Sequence, residues 1–502
     1  MSWFLGGIAL LVLGYFAYGR VVERIFGPDD RKPPAVAHPD GVDLVPLPAW
    51  KNMLIQLLNI AGIGPVIGVI LGIKFGKVAL LIIPVGCVFM GAVHDFAAGM
   101  MSLRMDGANL PKIVERNLGR TYSTVFSWVM LLLLLLVVAV FINVPANLIA
   151  RTLFPESSVF WWAVGGIFAY YIAATLFPVD KIIGRVYPLF GALLVVGSVA
   201  ISIALVVAGF GNQSLLDDCA GFADFQAKNP LFPCLFVTIA CGIISGFHAT
   251  QSPIVARTMT SERQARVTFF GMMIVEGVIA MIWAAAALAI YNIAPENLSL
   301  PGPAVLGNIT THFLGKWMGG VTVFAIVVLA VTSGDTALRS ARLSVGEVFR
   351  IDQVPIASRI ATCVPLIAAV SLLLWWSNQS AKSLQPLELL CVGQPDAFGY
   401  DADGRNGVAY PRGEAPRVTR HASPWHVYDD GGRGVHTMDS RDWRPAVGTR
   451  ARWPFRWRCN ACGRCDCNRI RGVCGLARRR SKPREGQRVL MFAICNTLWV
   501  NL

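Results

Sequence analysis

Apolar runs long enough for a helix to cross a hydrocarbon core, about 20 residues, recur through the first three-quarters of the chain. They fall at 2–19, 53–72, 78–103, 121–148, 159–177, 187–209, 231–255, 267–291, 319–339 and 360–376. Short polar connections separate them, apart from a longer early one at 20–51 that is rich in proline and aspartate. This is the pattern of an all-α polytopic membrane protein with about ten spans. The first run lacks the basic start and the Ala-x-Ala ending of a cleaved leader, so it is expected to stay as a first helix.

Two of these runs carry helix breakers where a lipid-facing helix would carry leucine. The first contains Ile60-Ala-Gly-Ile-Gly-Pro65. The second contains Cys241-Gly-Ile-Ile-Ser-Gly-Phe-His-Ala-Thr-Gln-Ser-Pro253. Backbone groups freed at membrane depth need partners, so such breaks survive only against protein or a water-filled cavity. Four spans lie between the broken runs, which places them five apart and in opposite directions. That is the spacing of a five-plus-five inverted repeat whose two discontinuous helices meet near the bilayer midplane, here preceded by one extra N-terminal helix. Only four spans follow the second break, so the last core helix of the repeat is missing. The substrate-facing residues expected from the breaks are Gly62, Gly64 and Pro65 with Gly242, Ser245, Gly246, Phe247, His248 and Gln251.

Ionisable groups inside spans are costly and are functional candidates by default. His94 and Asp95 lie in the helix after the first break, and Glu276 in the helix after the second. Thr332, Asp335, Thr336 and Arg339 share one side of a later helix at i, i+3, i+4 and i+7 spacing. Hydroxyls with a carboxylate suit a sodium ion or a proton, so His94, Asp95, Glu276, Thr332, Asp335 and Thr336 are candidates for ion or proton coupling. Bland readings stand beside these. Asp335 and Arg339 also fit a plain i, i+4 ion pair, and His94, Asp95, Glu276 and His248 fit ordinary interhelical hydrogen bonding. Imidazoles titrate near neutral pH, which makes His248 and His94 candidates for a pH link.

Basic residues occupy alternate connections: Arg104 to Arg120, Lys181 and Arg185, Arg257 to Arg266, and Arg339 to Arg359. The rule that positive loops stay inside puts these in the cytoplasm. The segment 104–120 reads either as an amphipathic helix on the inner leaflet or as an ordinary loop helix. The net charge of +14 suggests nucleic acid until it is located: residues 391–502 hold 20 Lys and Arg against 10 Asp and Glu, leaving a nearly neutral 24 against 20 in the body. No nucleic-acid partner is expected. The five cysteines of the body imply no disulfide framework.

At these residues the chain resembles the carbon starvation protein A family. The motifs are Ile60-Ala-Gly-Ile-Gly-Pro65, Gly91-Ala-Val-His-Asp95 followed by Arg104-x-Asp-Gly107, the stretch from Phe232 to His248, and Asp335-Thr336 with Arg339 and Arg342. The resemblance covers residues 3–382. It implies a bacterial inner-membrane transporter that takes up peptides or pyruvate in carbon starvation, coupled to a cation, sodium or proton, with no other cofactor. The partners expected are therefore a small-molecule substrate and the lipid bilayer. A nutrient sensor that binds without transporting is the alternative. No serine-protease order, HExxH or paired-aspartate pattern lies in the spans, so no enzyme is expected.

From residue 383 the chain turns to Arg, Gly, Asp, Pro and Trp without periodicity. Allowed codons for residues 383–397, read one nucleotide later, spell Val-Phe-Asn-Leu-Trp-Asn-Tyr-Phe-Ala-Trp-Ala-Asn-Gln-Thr-Leu, a membrane segment of the kind the repeat lacks. Residues 383–502 therefore read as a frameshifted or disordered tail behind a transporter domain at 1–382. The spacing of Cys459, Cys462, Cys465 and Cys467 alone suggests zinc or iron–sulfur. Out-of-frame reading of GC-rich DNA yields such residues readily, and no metal site is expected.

Overall fold

Each apolar run becomes a helix because only intrahelical hydrogen bonds satisfy the backbone in lipid. The computed structural model describes residues 1–150, 154, 159–176, 183–219, 221–229, 231–244 and 248–379, all within one unit of the chain. Among these residues every regular element is a helix. Residues from 380 on, and with them the frameshift and cysteine-cluster readings, lie outside the described residues.

The extra helix α1 runs Ser2–Phe26, seven residues beyond the apolar run at 2–19. The first broken span is α2, Ala49–Ile60, and α3, Gly64–Phe75, bent by 53°. Then come α4, Ala79–Leu103, a short α5, Leu110–Leu118, and the long spans α6, Arg120–Leu148, α7, Phe160–Leu176, and α8, Ile183–Gly211. A small α9, Phe222–Lys228, precedes the second broken span, α10, Leu231–Ile243, and α11, His248–Ala256. The remaining spans are α12, Glu262–Ile293, α13, Gly302–Phe349, and α14, Ile356–Gln379. Among the described residues seven helices are long and apolar enough to cross a membrane, or eight if the bent α2 and α3 pair counts as one span, and they follow the order of the apolar runs.

The span expected at 319–339 is longer than its apolar pattern. α13 starts at Gly302, turns at Gly315 through φ 72°, and continues to Phe349. Only glycine takes that backbone conformation without strain, and the polar Asp335 to Arg342 stretch therefore lies inside the helix and does not close it.

Glycine lets the helices approach closely. α1 lies against α4 and α12, with Gly7 set on the Leu80 carbonyl and Met281, Gly14 on Val88, and buried Leu11 over Gly277. The amphipathic α5 turns Leu110 and Val114 into a cluster with Met130 and Ala249, leaving Lys112, Glu115 and Arg116 outward. Its apolar face is taken by protein and is not available to a leaflet.

Candidate functional site

The two breaks meet. A Cβ on Gly242, at the end of α10, would lie 2.7 Å from Val69 and 3.6 Å from the Cα of Pro65 at the start of α3. In the first break Ala61 departs from helical geometry at ψ 57°, and Gly62 fits beside Phe141 of α6 and the hydroxyl of Ser333 of α13. Pro65 sits in the first turn of α3, where its missing N–H costs nothing. The carbonyl of Gly242 accepts from the Cys87 thiol at 3.3 Å, the kind of substitute partner a membrane-depth break requires. The structure thus sets Gly242 against Pro65, and Gly62 and Gly64 lie in the same first break. Ser245, Gly246 and Phe247 lie outside the described residues.

Behind this junction three charged groups from three helices share one buried spot. His248 begins α11, Asp95 is on α4 and Glu276 on α12, and each is 0% exposed. The His248 Nδ1 lies 3.6 Å from Asp95 Oδ1, and its Nε2 lies 3.8 Å from Glu276 Oε1. These are ion-pair separations beyond direct hydrogen-bond range. His94 places its Nδ1 3.0 Å from Asp95 Oδ1. Gln56 of α2 donates from Nε2 to Asp95 Oδ2 and to Ser252 Oγ of α11, both at 3.3 Å. Among the described residues neither Glu276 oxygen has a hydrogen-bond partner.

The helices that present the two acids share a local device. α4 widens into a π-helical turn at Cys87–Gly91, just before His94 and Asp95, and α12 does the same at Arg266–Gly271, just before Glu276. Such turns rotate the residues that follow and recur at functional sites. Gln251, the remaining candidate on α11, is buried and donates from Nε2 to Thr250 Oγ1 at 3.1 Å.

The α13 candidates pack against the first break on another side. Ser333 Oγ donates to the Leu58 carbonyl at 3.0 Å, and Thr336 Oγ1 to Asn59 Oδ1 at 3.2 Å. Thr332 Oγ1 donates back to Leu329 within the helix. Asp335 is 1% exposed, with the Tyr170 and Tyr171 phenols of α7 nearby. Among the described residues no group of three or more His, Cys, Asp or Glu side chains is arranged to hold a metal ion.

Arg339 reaches beyond its own helix. It donates to Asp43 Oδ1 at 2.8 Å and to the Ala174 carbonyl, while Arg342 donates to both Asp43 oxygens at 3.1 and 3.0 Å. Asp43 belongs to the 20–51 connection, and sequence reading passed over it as loop. Burial alone would push its carboxyl up, but the Arg342 and Arg339 guanidiniums, with Arg257 behind them, hold it down at about 2. Nearby, Arg257 donates to the Gly107 carbonyl at 2.7 Å and to Glu347 at 3.0 Å.

The sequence matches the family described as Carbon starvation protein CstA over residues 1–177 and 157–313. The chain belongs to that family. It is 42% identical over 342 residues to an uncharacterized membrane protein of Haemophilus influenzae, a match covering 58% of this chain and 92% of that one. It is 26% identical over 392 residues to the "Peptide transporter CstA" of Bacillus subtilis, covering 64% of this chain and 65% of the relative. Over 373 residues it is 26% identical to the "Pyruvate/proton symporter BtsT" of Escherichia coli, covering 62% and 51%. The chain thus spans about half the length of that last relative. Among solved structures it resembles MhsT in complex with L-phenylalanine, with a TM-score of 0.50, 15% identity, and coverage of 64% of this chain and 79% of that one. This likeness concerns the fold alone, a multi-pass helical architecture with an inverted repeat.

Proposed function

We propose that this protein is an inner-membrane secondary transporter that takes up a small carboxylate such as pyruvate, or a short peptide, and couples its movement to a proton at Asp95, His248 and Glu276. The observation that carries this is the placement of one imidazole between two buried carboxylates, directly behind the junction of two broken helices. The relatives named as a peptide transporter and as a pyruvate/proton symporter support the substrate class and the ion.

Charge counting explains how such a triad couples. With His248 protonated and both acids ionised, these three groups carry one net negative charge in a dry interior. One added proton makes the set neutral. Leaving net charge buried is costly, so loading the proton favours whichever arrangement keeps the triad closed and dry. Releasing it favours the arrangement that admits water. Because His248 starts the half-helix α11, its charge bears on a part that must move. His94, at 7% exposed, is the one member of the group at its edge.

The test is uptake of labelled pyruvate and a labelled dipeptide into liposomes holding the full chain, with and without an inward proton gradient. Glu276→Gln is expected to keep counterflow exchange while losing gradient-driven accumulation. Accumulation that survives in Glu276→Gln and in His248→Gln removes the triad from coupling. Binding without counterflow in the unaltered protein makes it a sensor.

A further inference from the structure

We propose that the Arg339 and Arg342 guanidiniums form a carboxylate-binding site at the inner mouth, and that Asp43 occupies it as an internal stand-in for the carboxylate of the departing substrate. The inference rests on the transport reading above and adds a second station on the path.

The geometry is that of a ligand site already filled. One carboxylate receives Arg339 at 2.8 Å and Arg342 at 3.0 and 3.1 Å, a forked arrangement that arginine makes with carboxylates of any origin. The two arginines are 1% and 0% exposed, and Asp43 is 5% exposed. The other charges around them are largely committed. Arg257 pairs with Glu347, Asp335 sits one turn before Arg339 on the same helix, and Arg359, itself basic, lies on the α14 side with Cys363. Gln353 accepts from Arg342 at 3.0 Å.

Asp43 is carried by a segment built to travel with the first broken span. Asp40 caps the turn that holds it, accepting from the backbone N–H groups of Val42, Asp43 and Leu44 at 2.8 to 2.9 Å. Leu47, two residues before α2, donates to the Thr258 carbonyl just after α11 at 2.9 Å, and Asn52 of α2 bonds the same carbonyl and the Thr258 hydroxyl. The carboxylate is thus attached to α2 and α11, and its partners to α13. If α2 and α11 swing from α13 to open the inner side, Asp43 leaves with them. Arg339 and Arg342 would then lose the carboxylate they share, at a cost that another carboxylate in its place would offset. A substrate carboxylate, whether of pyruvate or of a peptide C-terminus, satisfies them while the mouth is open and is displaced when Asp43 returns.

The experiment is chemical rescue on the purified full-length protein in detergent. Asp43→Ala is expected to lower the melting temperature, and acetate, pyruvate or dialanine is expected to restore at least half of the loss. Sodium chloride at equal ionic strength, or dialanine amide, is expected to restore little. Adding Arg342→Gln should abolish the carboxylate effect. Equal rescue by chloride, or carboxylate rescue that persists without Arg342, overturns the proposal. If Asp43→Ala does not fold, Asp43→Asn gives the same comparison with the loop shape kept. Intact rescue in a protein that shows no uptake would leave the carboxylate site standing and refute the transport reading instead.

Discussion

Replacing His248 by glutamine probes the triad directly, because its expected effect depends on the charge of a neighbour 3.8 Å away. At an effective dielectric of about 20, an imidazolium at these separations gains roughly 4 to 5 kcal/mol from each carboxylate. The amide of glutamine replaces none of that. Removing one partner of a buried pair costs on the order of 3–5 kcal/mol, so His248→Gln is expected to be severely destabilising. Glu276→Gln alone leaves Asp95 and His248 as a balanced pair and relieves an acid that has no hydrogen-bond donor among the described residues. Its cost should be about 1 kcal/mol or less.

The decisive quantity is the double variant. If the two groups interact as the distances say, Glu276→Gln removes much of the damage done by His248→Gln, with a coupling of about 2–3 kcal/mol. Unfolding of the four proteins in one detergent, followed by intrinsic fluorescence and by uptake, gives the cycle. Additivity within about 0.5 kcal/mol would mean that the imidazole carries no charge facing Glu276, and the coupling mechanism would fall with it.

Other consequences follow from groups near the site. Asp43 sits at about 2 in the folded protein against an ordinary 3.8, so its contribution, about 2–3 kcal/mol, is present above pH 4 and is lost as the pH falls through 2. The melting-temperature gap between the unaltered protein and Asp43→Asn should therefore shrink between pH 5 and pH 2, and a constant gap would refute the ion pair. Gly334→Ala places a Cβ into the Tyr171 hydroxyl, which donates to the Phe141 carbonyl at 3.0 Å. Overpacking of that kind costs about 1–3 kcal/mol, visible as a lower melting temperature that Tyr171→Phe partly restores. Arg257→Ala removes the Glu347 pair and the Gly107 bond at a partly exposed site and is expected to cost about 1–3 kcal/mol; Arg257→Lys should recover less than half, because lysine lacks the fork.

What the sequence made legible is what a single helix reveals about itself. The breaks at Gly62 to Pro65 and after Gly242 could be read because glycine and proline stand out in an apolar run, and Asp95, His248 and Glu276 because charge does. Their convergence followed from counting spans between the breaks, since the repeat brings corresponding helices to the same place. Periodicity does not give the rotation of one helix against another. Gln56 and Ser252, 196 positions apart, carry no local signal that they face each other around Asp95. Asp43 was hidden for a different reason. It lies in a segment whose proline and aspartate content reads as a solvated connection, and only a partner 296 residues away makes it a buried acid. Arg339 was visible, but helical spacing offered Asp335 as its partner, and the long side chain reaches Asp43 as well.

In the proposed transport cycle the two groups of ionisable residues would divide the labour in a way that neither performs alone. The triad sits on α4, α11 and α12, and its net charge depends on the proton. The Asp43 site joins the loop before α2 to α13, and its charge is fixed across the physiological range because the carboxyl is held at about 2. On the proposed cycle, then, a proton would act at His248 and not by neutralising Asp43, and α11 would carry the change. That path exists in bonds. His248 begins α11, and Thr258, just beyond its end, holds Asn52 at 2.7 Å and Leu47 at 2.9 Å, four residues from Asp43. A change of charge at one end of a half-helix of nine residues, Ala256 being its last, is thus delivered to the acid that fastens the inner mouth. On the proposed cycle, the element that would couple ion to gate is α11, moving as a rigid piece.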